Sequence, residues 1–221
     1  MDRKFADIRL PYVFLALTAL FLLVTGIVAF GCDKAAVHLA LNACHQPWLD
    51  TFMRYYTQMG EWVPYVVVIG LLFYKAGWSL FLLTDLALGG LIAQQLKYLF
   101  STPRPVRFFA DNYPDITLPL VDGVEMSAWY SMPSGHTVSL FALFLTLSII
   151  VCQNKSNYGW QVLFFLLATL GAYSRIYLSM HFVEDLFGGA LFATIFTILL
   201  LFFVPKLQKK AFFDWKIKKM H

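Results

Sequence analysis

The stretch from residue 174 to residue 185, SRIYLSMHFVED, collects ionisable side chains between two apolar runs. Hydrocarbon solvates such groups poorly, so their presence there predicts partners or a function. His181 and Asp185 are four residues apart, which places an imidazole and a carboxylate on one face of a helix. A carboxylate that holds one ring nitrogen as N–H leaves a lone pair on the other, which suits a nucleophile or a general base. The alternative is a capped helix start whose charges reach towards water.

A second polar stretch, KYLFSTPRP at residues 97–105, ends the third apolar run. It holds two cations, Lys97 and Arg104, and the prolines on either side of Arg104 stop the helix and stiffen its exit. Such cations suit a dianion such as phosphate, since arginine offers a planar fork of donors and lysine a point charge. The alternative is a positively charged helix end.

The fourth apolar run opens with the sequence PSGH at residues 133–136, which is typical of a helix N-terminus. Ser134 can cap the helix, and Gly135 lets a ligand approach the backbone. The free N–H groups and the helix dipole make such a terminus an anion site, with His136 beside the bound anion. The alternative is a simple cap followed by an interfacial histidine.

Composition indicates that these polar stretches are embedded in a membrane protein. The chain has 221 residues, of which 59% are hydrophobic and 14% charged, and its mean hydropathy is +0.65. These values lie far from those of a soluble domain, and the net charge of +4 gives no sign of nucleic-acid binding. We predict an all-α, polytopic bundle of six transmembrane helices in a single domain, residues 1–221. The predicted helices cover residues 10–30, 62–76, 78–99, 134–152, 159–178 and 183–204.

Three connecting segments carry further expectations. Aromatic residues interleave with polar ones in the first loop, at residues 36–60, which favours an interfacial amphipathic helix or a helix packed over the bundle. The long loop at residues 106–132 is expected to cover the mouth of the site, where it either reads a headgroup or is simply solvated. The tail after residue 205 alternates basic and aromatic residues and is expected to rest on anionic lipid.

The distribution of the 17 lysines and arginines predicts the orientation. Six spans put both termini on one side, and that side carries eleven basic residues against six on the other. The eleven are Arg3, Lys4, Arg9, Lys75, Lys155, Lys206, Lys209, Lys210, Lys216, Lys218 and Lys219. The positive-inside rule therefore predicts cytoplasmic termini and a site on the opposite face. The first apolar run lacks a cleavage site of small residues and is expected to be a retained span.

Residues inside the apolar runs predict how the helices pack. Gly89 with Gly90, and Gly188 with Gly189, allow close backbone approach, so we expect the third and sixth predicted helices to pack tightly against each other. Asp85 lies within the third run, too far from Lys97 to reach the site, and a structural hydrogen bond is favoured over a functional role.

The three cysteines lack the spacing of a metal site or a disulfide framework. Cys32 and Cys44 lie in one loop and can pair if it faces an oxidising compartment, although free thiols are favoured.

In order, the polar stretches spell KxxxxxxRP, PSGH and SRxxxxxHxxxD on a six-span hydropathy pattern. With these motifs the chain resembles the type 2 phosphatidic acid phosphatase family, within the wider acid phosphatase and vanadium haloperoxidase superfamily. The resemblance implies that His181 attacks phosphorus to form a phosphohistidine, that Asp185 orients it, and that His136 protonates the leaving oxygen and later activates water. It also implies a phosphate-binding set of Lys97, Arg104, Ser134, Gly135 and Arg175, with no metal and no other cofactor.

The expected activity is hydrolysis of a phosphate monoester or diphosphate on a membrane lipid, at the outer face of a bacterial inner membrane. Candidate substrates are undecaprenyl diphosphate, phosphatidylglycerol phosphate, phosphatidate and lipid A phosphate. The expected partners are this lipid and the bilayer, and the sequence leaves the oligomeric state open. The alternative is a lipid-binding or transport protein that uses the same anion site without hydrolysis. A soluble haloperoxidase is disfavoured by the hydropathy.

Overall fold

The computed structural model of the chain describes residues 8–153 and 157–207. Within these ranges the chain forms α-helices and no strand, so the predicted all-α class is confirmed there. The α-helices are α1 (Tyr12–Gly31), α2 (Lys34–Leu41), α3 (Pro47–Thr57), α4 (Val63–Tyr74), α5 (Ala76–Phe100), α6 (Pro105–Asn112), α7 (Gly135–Cys152), α8 (Tyr158–Tyr177) and α9 (Val183–Leu207). The six predicted runs correspond to α1, α4, α5, α7, α8 and α9, with limits that differ by at most three residues.

Four of these helices are long and apolar enough to cross a membrane: α1, α5, α7 and the part of α9 up to Phe203. The shorter α4 has 12 apolar residues. The helix α8 has 20 residues and carries three buried polar side chains, Gln161, Ser174 and Arg175. Gln161 accepts hydrogen bonds from the amides of Val13 and Phe14, and so satisfies donors at the open N-terminus of α1.

The central element of the bundle is α7, which packs against α5, α8 and α9. Its apolar residues are buried all round, as expected of a helix enclosed by others. By contrast, α1 lies at the periphery and exposes large apolar side chains such as Leu23, Ile27 and Phe30, as a lipid-facing helix does.

The two glycine pairs make contacts with different neighbours. Gly89 faces Phe196 of α9, where an added Cβ would meet the ring at 3.4 Å, but a Cβ on Gly90 would meet nothing within 4 Å. A Cβ on Gly189 would come within 2.9 Å of the Ser134 carbonyl oxygen, and one on Gly188 within 2.9 Å of Met132. The helices α5 and α9 thus pack together as expected, with Gly89 at their contact, whereas the second pair lies against the start of α7.

The buried Asp85 makes the structural contact that the sequence favoured. Its Oδ2 accepts a hydrogen bond of 2.7 Å from the Thr197 hydroxyl. This bond joins α5 to α9 inside the bundle and supplies the carboxylate with a partner away from water.

The first loop contains two helices where one was predicted. His38 of α2 is buried, and so is Met53 of α3, which packs with Tyr177 and Leu178. The opposite face of α3 exposes Trp48, Phe52 and Tyr55. This loop therefore packs over the bundle and also presents an aromatic face outward.

The long loop begins with α6, a helix that the sequence analysis missed because Pro105 was taken as a helix stop. Proline is tolerated in the first turn of a helix, where its missing N–H has no partner to lose. Phe109 of α6 packs against Phe182, next to His181. Cys32 and Cys44 are both free and exposed, and the basic tail after residue 207 lies outside the described residues.

Candidate active site

The His181–Asp185 pair forms a buried dyad at one end of the bundle. The distance from His181 Nδ1 to Asp185 Oδ2 is 3.2 Å, and both side chains are 1% exposed. Asp185 lies in the first turn of α9, whereas His181 precedes the helix, so the pair spans a helix start and does not share a helix face. The Phe182 amide donates to the same Oδ2 at 2.8 Å and fixes the carboxylate. With Nδ1–H directed to Asp185, the lone pair of His181 is on Nε2.

The local electrostatics keep His181 neutral. Burial lowers the pKa of its imidazole well below the ordinary value, and the positive charges of Arg175, Arg104 and Lys97 lower it further. A neutral imidazole retains the lone pair that a nucleophile requires.

Hydrogen bonds made by Ser131 and the residues that follow it connect all three motif stretches. The Ser131 hydroxyl donates to Asp185 Oδ2 at 2.5 Å and lies 3.4 Å from His181 Nδ1. The Thr102 carbonyl accepts from the Ser131 amide, and the Thr102 hydroxyl accepts from the Met132 amide at 3.0 Å. The Ser134 amide also donates to the Asp185 carbonyl at 3.0 Å. The sequence analysis missed Ser131 and Thr102. In the sequence each is only a small residue with a hydroxyl group, Thr102 within one motif stretch and Ser131 shortly before another.

The three predicted cations approach the dyad from different elements. Lys97, near the end of α5, has its Nζ 3.6 Å from where a Cβ on Gly135 would lie, which places its ammonium group beside the start of α7. Arg104 donates from Nε to the Trp129 carbonyl at 3.1 Å. Arg175 is 4% exposed, and its Nη1 donates to Thr57 at 2.7 Å. The buried Arg175 Nε has no hydrogen-bond partner among the described residues, so it is a donor available to an anion.

The start of α7 has the predicted form of a helix N-terminus. Ser134 is the N-cap, fully buried, and its hydroxyl accepts from the Thr137 amide at 3.4 Å. Gly135 and His136 form the first turn, where amides are free of partners within the helix. Ser134, Gly135 and His136 are thereby brought to the same place as the dyad and the cations.

The turn before α4 adds two residues that the sequence analysis did not place in the site. The hydroxyl of Thr57 holds Arg175, and Glu61 Oε1 lies 3.1 Å from His136 Nε2. Glu61 was noted in the sequence only as a marker of the membrane interface. Both residues lie more than 70 positions from their partners in the chain, and no local pattern reports such a contact.

A cavity of about 340 Å³ adjoins these residues. It lies between α4, α5 and α7, and its lining includes Tyr65, Ala93 and Gln94 besides Lys97 and His136. Among residues 8–153 and 157–207, no three His, Cys, Asp or Glu side chains are grouped as a metal site.

The candidate site combines a histidine–aspartate dyad, three converging cations and a capped helix N-terminus. This combination is suited to a membrane protein that binds phosphate. The family model of the PAP2 superfamily matches residues 78–209, which include every predicted site residue. The chain therefore belongs to the PAP2 superfamily, and the predicted resemblance is confirmed.

Two relatives are lipid phosphatases by name, which agrees with the expected enzyme class. A lipid A 4'-phosphatase of Porphyromonas gingivalis is 33% identical over 159 residues, which are 68% of this chain and 64% of that protein. The match thus spans slightly less than two thirds of that relative. A phosphatidylglycerophosphatase B of Bacillus subtilis is 28% identical over 195 residues, 83% of this chain and 84% of that protein.

Two solved structures are similar. LpxE of Aquifex aeolicus has a TM-score of 0.64 and 27% identity, over 76% of this chain and 94% of that one. A PAP2-type phosphatidylglycerolphosphate phosphatase of Bacillus subtilis has a TM-score of 0.60 and 23% identity, over 96% of this chain and 98% of that one. At that identity, the second likeness shows the fold alone.

Proposed function

We propose that this chain hydrolyses a phosphate monoester or diphosphate on a membrane lipid through a phosphohistidine intermediate. The observation that carries the proposal is the buried dyad at the point where three cations meet. His181 is neutral there, Asp185 holds its Nδ1, and the nearby Arg175 has a buried Nε without a hydrogen-bond partner among the described residues. A phosphate dianion would offset the cations' charge and lie in front of the nucleophile.

In the first half of the reaction, His181 Nε2 forms a bond to phosphorus as the bond from phosphorus to the lipid oxygen breaks. Asp185 stabilises the positive charge that develops on the ring. Lys97, Arg104, Arg175 and the first-turn amides of α7 stabilise the charge on the equatorial oxygens. Ser134 caps that turn and keeps its amides directed at the phosphate.

His136 supplies the proton that the leaving lipid oxygen needs. In the second half of the reaction it takes a proton from water, whose oxygen bonds to phosphorus as the bond from phosphorus to His181 Nε2 breaks, and inorganic phosphate is released. These steps use side chains and backbone amides of the protein together with water, and the proposal requires no metal or other cofactor.

The substrate is a lipid of the bilayer, and the names of the relatives favour two for the first assays. These are lipid A phosphorylated at the 4' position and phosphatidylglycerol phosphate. Undecaprenyl diphosphate and phosphatidate complete the panel. The cavity beside His136 and Lys97 is large enough for the part of a lipid next to its phosphate.

We further propose that the chain is a single domain with six transmembrane helices in a bacterial inner membrane. Besides the four long apolar helices, α4 and α8 would cross, with α8 shielding its polar residues inside the bundle. The exposed aromatic face of α3 would lie at the interface on the side of the site. The termini would be cytoplasmic and the site extracytoplasmic.

Phosphate release by the purified protein from each lipid of the panel, in detergent micelles, tests the activity. The expected result is release from at least one lipid by the wild-type protein and none by His181→Ala. A protein that binds these lipids without releasing phosphate would instead be a binding or transport protein.

A further inference from the structure

The segment from Thr57 to Glu61, which we name the 57–61 turn, lies before the residues that the family model matches. It nevertheless contacts two side chains of the candidate site. The Thr57 hydroxyl accepts from Arg175 Nη1 at 2.7 Å, and Glu61 Oε1 lies 3.1 Å from His136 Nε2. The turn therefore links α8 to α7 from outside the matched region.

The backbone of the turn lies directly against the His136 ring. A Cβ built on Gly60 would come within 2.8 Å of His136 Cδ2 and 3.2 Å of its Cβ. Gly60 is buried, so the glycine allows an approach that a side chain would prevent. The ring is thus confined between the turn and α7, with Nε2 directed to the carboxylate.

Titratable groups from four other places face His136. They are the neutral His181 before α9 and three cations, Lys97 of α5, Arg104 of the turn after α5 and Arg175 of α8. Burial of the ring and the positive charges of the three cations oppose a proton on His136 while the site is empty. A bound phosphate dianion offsets that repulsion, and the carboxylate hydrogen-bonded to Nε2 then favours the imidazolium.

We propose that Glu61 is a positioning residue that holds His136 as an imidazolium in the substrate complex. This inference rests on the proposed function, because it assigns the proton that the leaving group takes. An imidazolium donates from both ring nitrogens, so Nε2–H stays on Glu61 while the proton on Nδ1 remains for the lipid oxygen.

The protons balance over the cycle. As the bond from phosphorus to the lipid oxygen breaks, that oxygen takes the Nδ1 proton and His136 becomes neutral. In the second half, the attacking water returns a proton to Nδ1, its oxygen bonds to phosphorus, and the bond to His181 breaks. Glu61 keeps its charge throughout and takes part in neither proton transfer.

The test compares Glu61→Gln with Glu125→Gln, which makes the same change of charge in an exposed part of the long loop. Glu61 is itself exposed, with 62% of its side chain accessible, so its replacement leaves the core intact. We expect Glu61→Gln to lower kcat on a lipid phosphate by roughly 10²-fold, the low end for loss of a general acid. On nitrophenyl phosphate, whose leaving group needs little protonation, kcat should change less than about 3-fold.

A second measurement does not depend on turnover. In protein labelled with ¹⁵N-histidine and saturated with orthophosphate, the His136 resonance is assigned by its loss in His136→Asn. Near pH 6.5, the ordinary pKa of imidazole, we expect an imidazolium in the wild type and in Glu125→Gln, and a neutral ring in Glu61→Gln. Glu61→Asp, which keeps the charge, should retain part of the imidazolium signal.

Equal losses of kcat on both substrates, or the same His136 charge in wild type and Glu61→Gln, would overturn the role of Glu61. Absence of phosphate release by the wild type would overturn the proposed function instead, and the resonance of His136 would still decide whether Glu61 sets its charge.

Discussion

The Ser131 hydroxyl donates a hydrogen bond to Asp185 Oδ2, the same oxygen that lies 3.2 Å from His181 Nδ1. Ser131 directly precedes the segment that leads into α7, and Thr102 holds it through two backbone amides. One carboxylate oxygen therefore receives donors from two distant parts of the chain, Ser131 on one side and His181 with the Phe182 amide on the other. The orientation of the nucleophile thus depends on how α5, α7 and α9 pack together.

We predict that Ser131→Ala lowers kcat by about 10-fold, because the carboxylate loses one of the donors that fix its plane and the His181 ring is held less firmly. KM should change little, since Ser131 does not face the phosphate. The matched control is Ser148→Ala, which removes a buried hydroxyl of α7 without touching the dyad. Steady-state kinetics on one lipid phosphate measure both. Equal effects of the two substitutions would mean that Ser131 acts only through packing.

His181→Ala should lower phosphate release by roughly 10⁴-fold or more, because it removes the proposed nucleophile. The protein should remain folded in detergent, as judged by gel filtration and thermal unfolding. Acid-labile but alkali-stable labelling of the wild type by a ³²P-lipid, absent from the variant, would identify the phosphohistidine. Substantial residual turnover by the variant is incompatible with the covalent mechanism.

The stability of the protein should decline in acid because of His38, a residue of α2 whose ring packs against that of Phe182. Burial lowers the pKa of His38 from 6.5 to about 4, an effect that Asp185 partly opposes. Below pH 6.5 the unfolded chain binds a proton at His38, whereas the buried ring of the folded protein stays neutral. The free energy of unfolding therefore falls as the pH falls towards 4. The total loss in the free energy of unfolding from this titration is roughly 3 kcal/mol, at about 1.4 kcal/mol for each pKa unit.

His38→Gln removes this titration while its amide can still reach Ser179, the partner of Nε2 at 3.3 Å. Its Tm should therefore depend less on pH between about 4.5 and 6.5 than that of the wild type. Buried His181 titrates in both proteins and cancels from the comparison. Parallel curves of Tm against pH would show that His38 is not responsible.

Activity should survive excess EDTA and fall with micromolar vanadate, because the proposed chemistry uses protein side chains and vanadate adopts the geometry of pentacoordinate phosphorus. Phosphate release measured before and after chelation, with Mg²⁺ and Zn²⁺ added back, provides the check. Loss on chelation that a metal restores would require a different mechanism.

The side of the membrane that the site faces can be tested with two single cysteines in a variant that lacks the native three. Cysteine in place of Asp122, in the loop near the site, should react with an impermeant maleimide in intact cells whose outer barrier is permeabilised. Cysteine in place of Lys155, at the opposite end of the predicted topology, should react only after lysis. The reverse order would place the site on the cytoplasmic side of the membrane. The proposed substrates would then be replaced by lipids of the cytoplasmic leaflet.

The sequence determined the helices and the motif stretches, because both are local. Continuous apolar runs, the prolines around Arg104 and the cap at Ser134 act over a few residues, and the six predicted runs ended within three residues of the observed helices. The helix α6 was not predicted, because a proline in the first turn of a helix resembles a proline that ends one. The spacing of His181 and Asp185 likewise predicted their contact, although the pair lies across a helix start.

The tertiary structure alone decided which residues support that chemistry. Ser131 reaches Asp185 across 54 positions, Glu61 reaches His136 across 75, and Thr57 reaches Arg175 across 118. A serine, a glutamate or a threonine in a loop has no periodicity and no distinctive spacing, so nothing local distinguishes these from other polar residues. Their partners are fixed only when the helices pack, because hydrogen bonds form over about 3 Å and depend on where the whole bundle places each end.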